Sequence, residues 1–558
     1  MTETLVIKLV VAAYLLVMLG VGIASGRFVK SSGDFLIGGR RIPWWVAGTS
    51  VYMSAFSVFT FVADAGNAYT HGMVGALINV GPVLGWFAAG LLTASLWNRS
   101  RIVTPVEYLE ERFGPEVRKW FALLSILFSL NSIATRLFAF SVLAGTLLDM
   151  PVSHVIVISG IVVAVYSLMG GLWAVVLTDV IQFIILLIGI IPLVALSLIE
   201  IWGFTGFSEW VSSDAFSWSK TDRNYIWLMG WWGVEIINAL FRFEGIQRFS
   251  AVPSESDARN SAFLASALLA PTLVAALIPI FAAAYLLPGI SGEQAFASMV
   301  ALVLPTGLVG LIMGAMFAAT ISALDSELNV SAGIIARDIY QRFINNHCSD
   351  NDLLYASRSA TLILACCAVL CALLIASTEM GVFEWAEFVV SRFLVIPLLC
   401  FVLGLFFRRA STKGFIFSLV LGTTISMFLW GIGWSPSSVR FPVIVTCVLS
   451  MLVANTFFPA SGREKVRVDN FTRKITTPCS KEPTTIAKAM HSDILKLIGS
   501  SLIAVSLIPL SIAVIYLNET SSSYLELWTG LSTLLTGLSL LKFSQKQSGE
   551  HADSSIVS

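Results

Sequence analysis

Charge is scarce in this chain. Only 12% of its 558 residues are Asp, Glu, Lys or Arg, against roughly 25% in a soluble globular protein. Basic and acidic residues number 34 each, so the net charge is zero and no basic surplus is offered to nucleic acid. The seven cysteines (Cys348, Cys366, Cys367, Cys371, Cys400, Cys447 and Cys479) lie mostly in apolar runs, and neither they nor the five histidines fall at a metal-ligand spacing. There is no phosphate-binding glycine loop, no His-Glu-x-x-His and no Gly-x-Ser-x-Gly, so nothing supports an enzyme. The first apolar run, TLVIKLVVAAYLLVMLGVGIASG, is long enough to span, lacks a small-residue cleavage site with a polar exit and is expected to be a retained helix.

What the sequence has instead is long apolar runs. Hydrophobic residues make up 56% of the chain, and the mean hydropathy is +0.84, which over this length describes a polytopic membrane protein. Runs of spanning length fall near 4–25, 43–68, 73–97, 119–148, 152–170, 173–203, 225–248, 259–288, 303–338, 353–377, 384–407, 414–432, 440–458, 494–517 and 525–541. They predict an all-α protein of about fifteen transmembrane helices.

Basic residues cluster in alternate connections: Arg27 to Arg41, Arg99 to Lys119, Arg248 and Arg259, Arg342, Arg408 to Lys413, and seven in 459–492. The intervening PGISGEQAF and STEMGVFEWAE have none. Positive charge stays in the cytoplasm, so the N-terminus is expected outside and the C-terminus inside, in a plasma (inner) membrane.

Polar residues inside the apolar runs need a reason, because each is costly in lipid. They gather in the second to eleventh runs: Ser54, Ser57, Thr60 and Asp64; Asn79; Asn131, Thr135 and Arg136; Thr178, Asp179 and Gln182; Glu235, Asn238, Arg242 and Glu244; Ser322 to Asn329; Arg392. Ser322, Asp325, Ser326 and Asn329 recur at i, i+3, i+4 and i+7, which puts four oxygen-bearing side chains on one helix face, with Glu327 off that face. The hydroxyls suit a dehydrated hard cation and equally suit helix–helix contact. The carboxylate is harder to place in a contact, since a buried Asp must sit beside a cation or stay protonated. Asp179, two turns into its own run, is the second such group; it meets Asp325 in the inner half of the membrane or is hydrated at the inner interface.

Four stretches, in order, resemble the sodium/solute symporter family, which includes sodium/glucose, sodium/proline and sialic acid symporters. They are FLIGGRRIPWWVAGTSVYMSAFS, TPVEYLEERFG, GGLWAVVLTDVIQFIILLIG and SALDSELNVSAGIIARDIYQRF, and the similarity covers roughly 5–410. The resemblance implies a LeuT-type fold of two inverted five-helix repeats, 43–203 and 224–410. Around them would stand an N-terminal helix and cytoplasmic loop (1–42), two accessory helices (411–458), a cytoplasmic loop (459–492), and two further helices with a short tail (493–558). The leading helix of each repeat is expected to break at mid-membrane, although the second run has neither Gly nor Pro between Met53 and Ser57.

The resemblance also assigns ligands. One sodium site would use the carbonyls of Met53, Phe56 and Ala319 with the hydroxyl of Ser322; the second hydroxyl position is Ala323, a departure that removes one ligand. A further site would use Asp179, Ser322, Asp325 and Ser326, with Asp325 where a hydroxyl is usual. The reading is that Asp179 and Asp325 jointly hold sodium, or share a proton without it. For the solute, Arg136 maps to a substrate-carboxylate ligand, Ser57, Thr60 and Asn79 to pocket positions, and Glu235, near Asn238, to a contact for sugar hydroxyls. Arg136 has the alternative of an ion pair with Asp64 or Glu235, and Trp231 and Trp232 either stack on a sugar or pack.

The expected activity is sodium-coupled symport of a small polar solute by alternating access. A sugar or sugar acid is expected first, and an amino acid or monocarboxylate, sodium- or proton-coupled, second. Its partners would be the solute, the sodium ion and the lipid bilayer, with no nucleic acid. A transporter-like sensor is a remote alternative, because the polar segment 542–558 is too short for a signalling module.

Overall fold

The computed structural model describes residues 3–28, 37–167, 172–204, 206–218, 223, 225–407, 409–478, 485–516 and 523–556. Among them there is no β-strand, only an isolated antiparallel bridge between Ala410 and Pro459. Among the described residues, eleven helices are long and apolar enough to cross a membrane, or up to 12 if a bent pair counts as one span. The chain is thus an all-helical integral membrane protein. Three further runs expected to span are helical but fall short of that test: Val152–Ser167, Tyr225–Phe241 and Ser523–Ile556.

The helices that build the interior are α1 (Trp44–Ala55), α2 (Thr60–His71), α3 (Met73–Leu92), α4 (Pro115–Leu148), α5 (Leu172–Phe204), α6 (Tyr225–Phe241), α7 (Phe243–Ala251), α8 (Glu255–Leu286), α9 (Thr306–Ile344) and α10 (Val382–Phe406). Residue choices at their ends follow capping chemistry. Pro115 opens α4, where a missing N–H costs nothing. Gly114, at φ +105°, joins α4 to the preceding helix Pro105–Phe113 in a conformation closed to other residues. Ser254 caps α8 by accepting from the Asp257 N–H at 3.1 Å.

The break expected in the second run is present. α1 stops at Ala55, and α2 leaves at 51° to it. No Gly or Pro makes this break; side chains do. Phe56 is extended at φ −99°, ψ 95°, and its ring is held between Tyr52 (5.1 Å) and Phe61 (5.0 Å). Ser57 Oγ accepts from the Phe59 N–H at 3.3 Å. The second break lies between α6 and α7, where Arg242 alone is extended at φ −65°, ψ 126°. Its guanidinium donates to the Ser54 carbonyl at 3.0 Å. One arginine therefore bridges the two interruptions and satisfies a carbonyl that the end of α1 leaves open.

Two expectations change. Residues 459–492 are not simply a loop. Gly462–Thr476 is helical and buries Val468, Phe471 and Ile475, and the next long helix begins at Thr485. An i, i+3, i+7 apolar stripe between charges makes this an amphipathic helix. Arg248, placed by sequence among the loop charges, is fully buried inside α7.

Candidate functional site

Two polar clusters occupy the interior. The first joins α1, α5, α7 and α9. Asp179 of α5 is 0% exposed. Its carboxylate accepts from Ser50 Oγ of α1 at 2.5 Å and from Ser322 Oγ of α9. Arg248 of α7 donates Nε to Ser50 Oγ at 3.0 Å and Nη2 to Ser326 Oγ at 2.9 Å. Ser326 donates in turn to the Ser322 carbonyl at 2.9 Å. Asp325 is also fully buried, takes Asn329 Nδ2 on Oδ1 at 3.2 Å, and faces the Ser167 hydroxyl. Asp325 lies within electrostatic reach of both Asp179 and Arg248.

Asp179, Ser322, Asp325 and Ser326 thus lie in one cluster, which also contains Arg248 and Ser50. The addition matters. Two carboxylates in a low dielectric need a cation or a proton, and here a permanent guanidinium already stands beside them. Its hydrogen bond also occupies an oxygen that a metal ion would use. Ser50 carried a legible signal: with Ser54 and Ser57 it repeats the i, i+4, i+7 spacing of the α9 stripe. Arg248 carried a weaker one, since FRFEGIQRFS has no Gly-Pro-Asn turn signal that would place it in a loop.

The backbone positions Met53, Phe56 and Ala319 are all buried. Met53 and Phe56 lie in the last turn of α1 and at the break after it, where helical carbonyls lose their N–H partners. α9 packs against α1. Ala323 is buried with no hydroxyl to offer.

The second cluster lines a cavity of about 260 Å³ between the two broken helices and α3, α4, α9 and α10. This is just below the usual range for small-molecule sites of about 300–1,000 Å³. All six residues singled out for the solute, Ser57, Thr60, Asn79, Arg136, Glu235 and Asn238, line it, together with Asp64, Trp231, Glu244 and Glu327. They arrive from six helices and the first break, which is why no local pattern in sequence shows the cavity.

Arg136 is not free within this wall. Its Nη1 lies 2.9 Å from Glu327 Oε1, and Ser132 Oγ, one turn earlier on α4, donates to the same oxygen at 2.9 Å. The ion pair weighed from sequence exists, but its acid is Glu327 rather than Asp64 or Glu235. Glu327 leaves the α9 stripe, as its spacing predicted, and reaches the cavity instead. Arg242 Nε lies 3.4 Å from Glu244 Oε2. Trp231 lines the cavity but also stacks on Phe383 at 5.1 Å, beneath the Arg440 guanidinium at 4.5 Å. Trp232 donates Nε1 to the Leu77 carbonyl at 2.8 Å. Both tryptophans therefore have packing partners.

Residues 35–422 match the family model described as the sodium:solute symporter family. The chain is 27% identical to a sodium/glucose cotransporter of Vibrio parahaemolyticus, over 80% of this chain and 88% of that protein. It is 26% identical to a sodium/sialic acid symporter of Aliivibrio fischeri, over 75% and 86%. Among solved structures, a substrate-bound, outward-open sodium-coupled sialic acid symporter superposes with a TM-score of 0.70 at 22% identity, covering 82% of this chain and 99% of that one. Mhp1, a nucleobase-cation-symport-1 family transporter, superposes at 0.55 and 15%, over 79% and 99%. At those identities the structural likeness speaks for the fold.

Proposed function

The chain belongs to the sodium:solute symporter family, and on that premise we propose that it is a secondary active transporter coupling sodium entry to uptake of a small, hydroxyl-rich solute of the sugar or sugar-acid class. The observation that carries this reading is the convergence of Ser57, Thr60, Asn79, Arg136, Glu235 and Asn238 on one cavity flanked by both helix breaks. A break in each of two helices supplies open backbone groups and a hinge beside the cavity, which is what alternating access requires. Names of the relatives, sodium/glucose and sodium/sialic acid symporters, support the same solute class.

In this reading the chain crosses a plasma (inner) membrane about fifteen times, with its N-terminus outside and its C-terminus in the cytoplasm. The inverted repeats span 43–203 and 224–410, with the flanking segments divided at 42, 411, 458 and 492. Sodium is co-transported cargo. Its ligands are the carbonyls of Met53, Phe56 and Ala319 and the hydroxyl of Ser322, with Asp179, Asp325 and Ser326 as the adjoining anionic set. Sodium enters that second set only when Arg248 releases Ser326, so the guanidinium acts as the internal competitor of the ion. Each inward charge contributes about 2.3 kcal/mol per 100 mV, a concentration factor of roughly fifty.

Asp64 favours a second reading, an amine-bearing solute such as an amino acid, because it lines the cavity with no cation at ion-pair distance among the described residues. Uptake into proteoliposomes separates the possibilities. Labelled glucose, glucosamine and alanine are offered under an inward sodium gradient and again with choline at the same pH. Accumulation of a sugar only with sodium is expected; uptake unchanged in choline ends the sodium reading, and accumulation of alanine alone ends the sugar reading.

A further inference from the structure

The charges around the cavity do not treat all solutes alike. Four carboxylates line it, Asp64, Glu235, Glu244 and Glu327, against two guanidiniums, Arg136 and Arg242. Both guanidiniums are engaged by protein. Arg242 is held by Glu244 at 3.4 Å and by the Ser54 carbonyl at 3.0 Å. Arg136 is held by Glu327 at 2.9 Å, and Glu327 is itself seated by Ser132 at 2.9 Å. Residues 132 and 136 are one turn apart on α4, so they present one donor edge to which Glu327 binds from α9. Arg136 is 8% exposed and Glu327 9%, so little water competes with this pair.

A guanidinium facing a cavity is the strongest carboxylate receptor a protein can build, because its two N–H groups match two oxygens. Here that receptor is already ion-paired, through Nη1, with a carboxylate of the protein. A solute carboxylate would have to displace Glu327 and leave it buried without a counter-charge, held by the Ser132 hydroxyl alone and facing Glu244 and two further acids. Breaking a buried pair in this way is strongly unfavourable. A solute hydroxyl or ammonium group, by contrast, donates to Asp64 and Glu235, which have no cation at ion-pair distance among the described residues.

We infer that Glu327 is a specificity-determining residue: by occupying Arg136 it makes the cavity accept a hydroxylated solute free of negative charge and reject one that carries a carboxylate. This rests on the transporter reading above and narrows it from sugars and sugar acids to sugars without the acid.

The test is a thermal-shift titration of the purified full-length protein in sodium, with glucuronate as the acidic probe and acetate as the smallest carboxylate. In the unmodified protein neither probe raises the melting temperature. In Glu327→Gln both do, with glucuronate acting at least tenfold more tightly than in the unmodified protein. Adding Arg136→Met to that variant removes the gain. Glu327→Asp, which keeps the charge and shortens its reach, gives a smaller gain of the same sign and serves if the Gln variant does not fold. Two results overturn the proposal: stabilisation of the unmodified protein by glucuronate that Arg136→Met abolishes, or a cooperatively melting Glu327→Gln protein that responds to neither probe. The probes report whether Arg136 is available, whatever solute is carried, so a failure of sugar uptake and a failure of this inference are separable.

Discussion

Arg248 donates to serines on two different helices, Ser50 on α1 and Ser326 on α9, and a lysine cannot reproduce that fork. Arg248→Lys is therefore expected to lose one of the two contacts, and Arg248→Met to leave Asp179 buried without its nearby cation. The latter should cost about 3–5 kcal/mol, read as a drop in melting temperature that Asp179→Asn partly restores in the double variant. If Arg248→Met melts like the unmodified protein, the guanidinium is not the counter-charge of Asp179. Ala323 makes the opposite case. Ala323→Ser supplies the absent hydroxyl next to Ser322 and should lower the half-saturating sodium concentration for uptake about tenfold, or ~1.4 kcal/mol; an unchanged sodium dependence would remove Met53, Phe56 and Ala319 from the proposed ligand set. At this scale much was readable beforehand. The oxygen stripe of α9 and the buried Asp179 stand out because polarity in an apolar run is expensive. The partner of each group was not readable, since Glu327 and Arg136 are 191 positions apart in a chain that gives no hint of their meeting.

At the scale of the element, the cavity depends on how closely helices approach. α3 lies against α6 through Gly81 and Gly85, and a Cβ at Gly85 would fall 2.8 Å from Ala239 Cβ and 2.9 Å from the Glu235 carbonyl oxygen. The second of these is backbone and cannot rotate away. Gly85→Ala should therefore push α6 outward, destabilise by about 1–3 kcal/mol and displace Glu235 from the cavity. A loss of melting temperature accompanied by reduced solute affinity is expected; normal affinity would show that α6 tolerates the shift. The helix breaks illustrate the limit of local pattern. In α6 and α7 the clustered polar residues Glu235, Asn238, Arg242 and Glu244 coincide with an interruption. Between α1 and α2 no Gly or Pro marks the break that the family resemblance implied, because it is made by Phe56 between two rings and by Arg242 reaching across from another helix.

Over the whole molecule, several of the basic residues that sequence placed in connections form a paired network. Glu110 receives Arg342 through both oxygens, at 2.8 and 2.7 Å, and also Arg118, which in turn holds Asp338. The hydrogen bond from Arg342, reinforced by Arg118, holds the Glu110 carboxyl down at about 2, below its ordinary 4.5. A folded pKa below the unfolded one adds stability that is full above 4.5 and disappears as pH falls through about 2. Melting temperature should accordingly decline with acid across that window, and Glu110→Gln should flatten the decline while lowering stability at neutral pH. An identical acid profile in the variant would show the network to be too solvated to matter. The same network ties the helix Pro105–Phe113 to the start of α4 and the end of α9, so it joins the ends of segments far apart in sequence.

By itself the sequence determined the solvent this protein lives in, the helical character of its long runs and which polar side chains needed explaining. Those follow from composition and periodicity, because lipid forbids unpaired polar groups and makes every exception conspicuous. Only the tertiary structure decided how those exceptions pair: Arg248 beside Asp179, Glu327 on Arg136, Arg242 across both breaks. Charge pairing acts through space over a few ångströms, and it is the packing of distant helices, not their order in the chain, that sets which charges come that close.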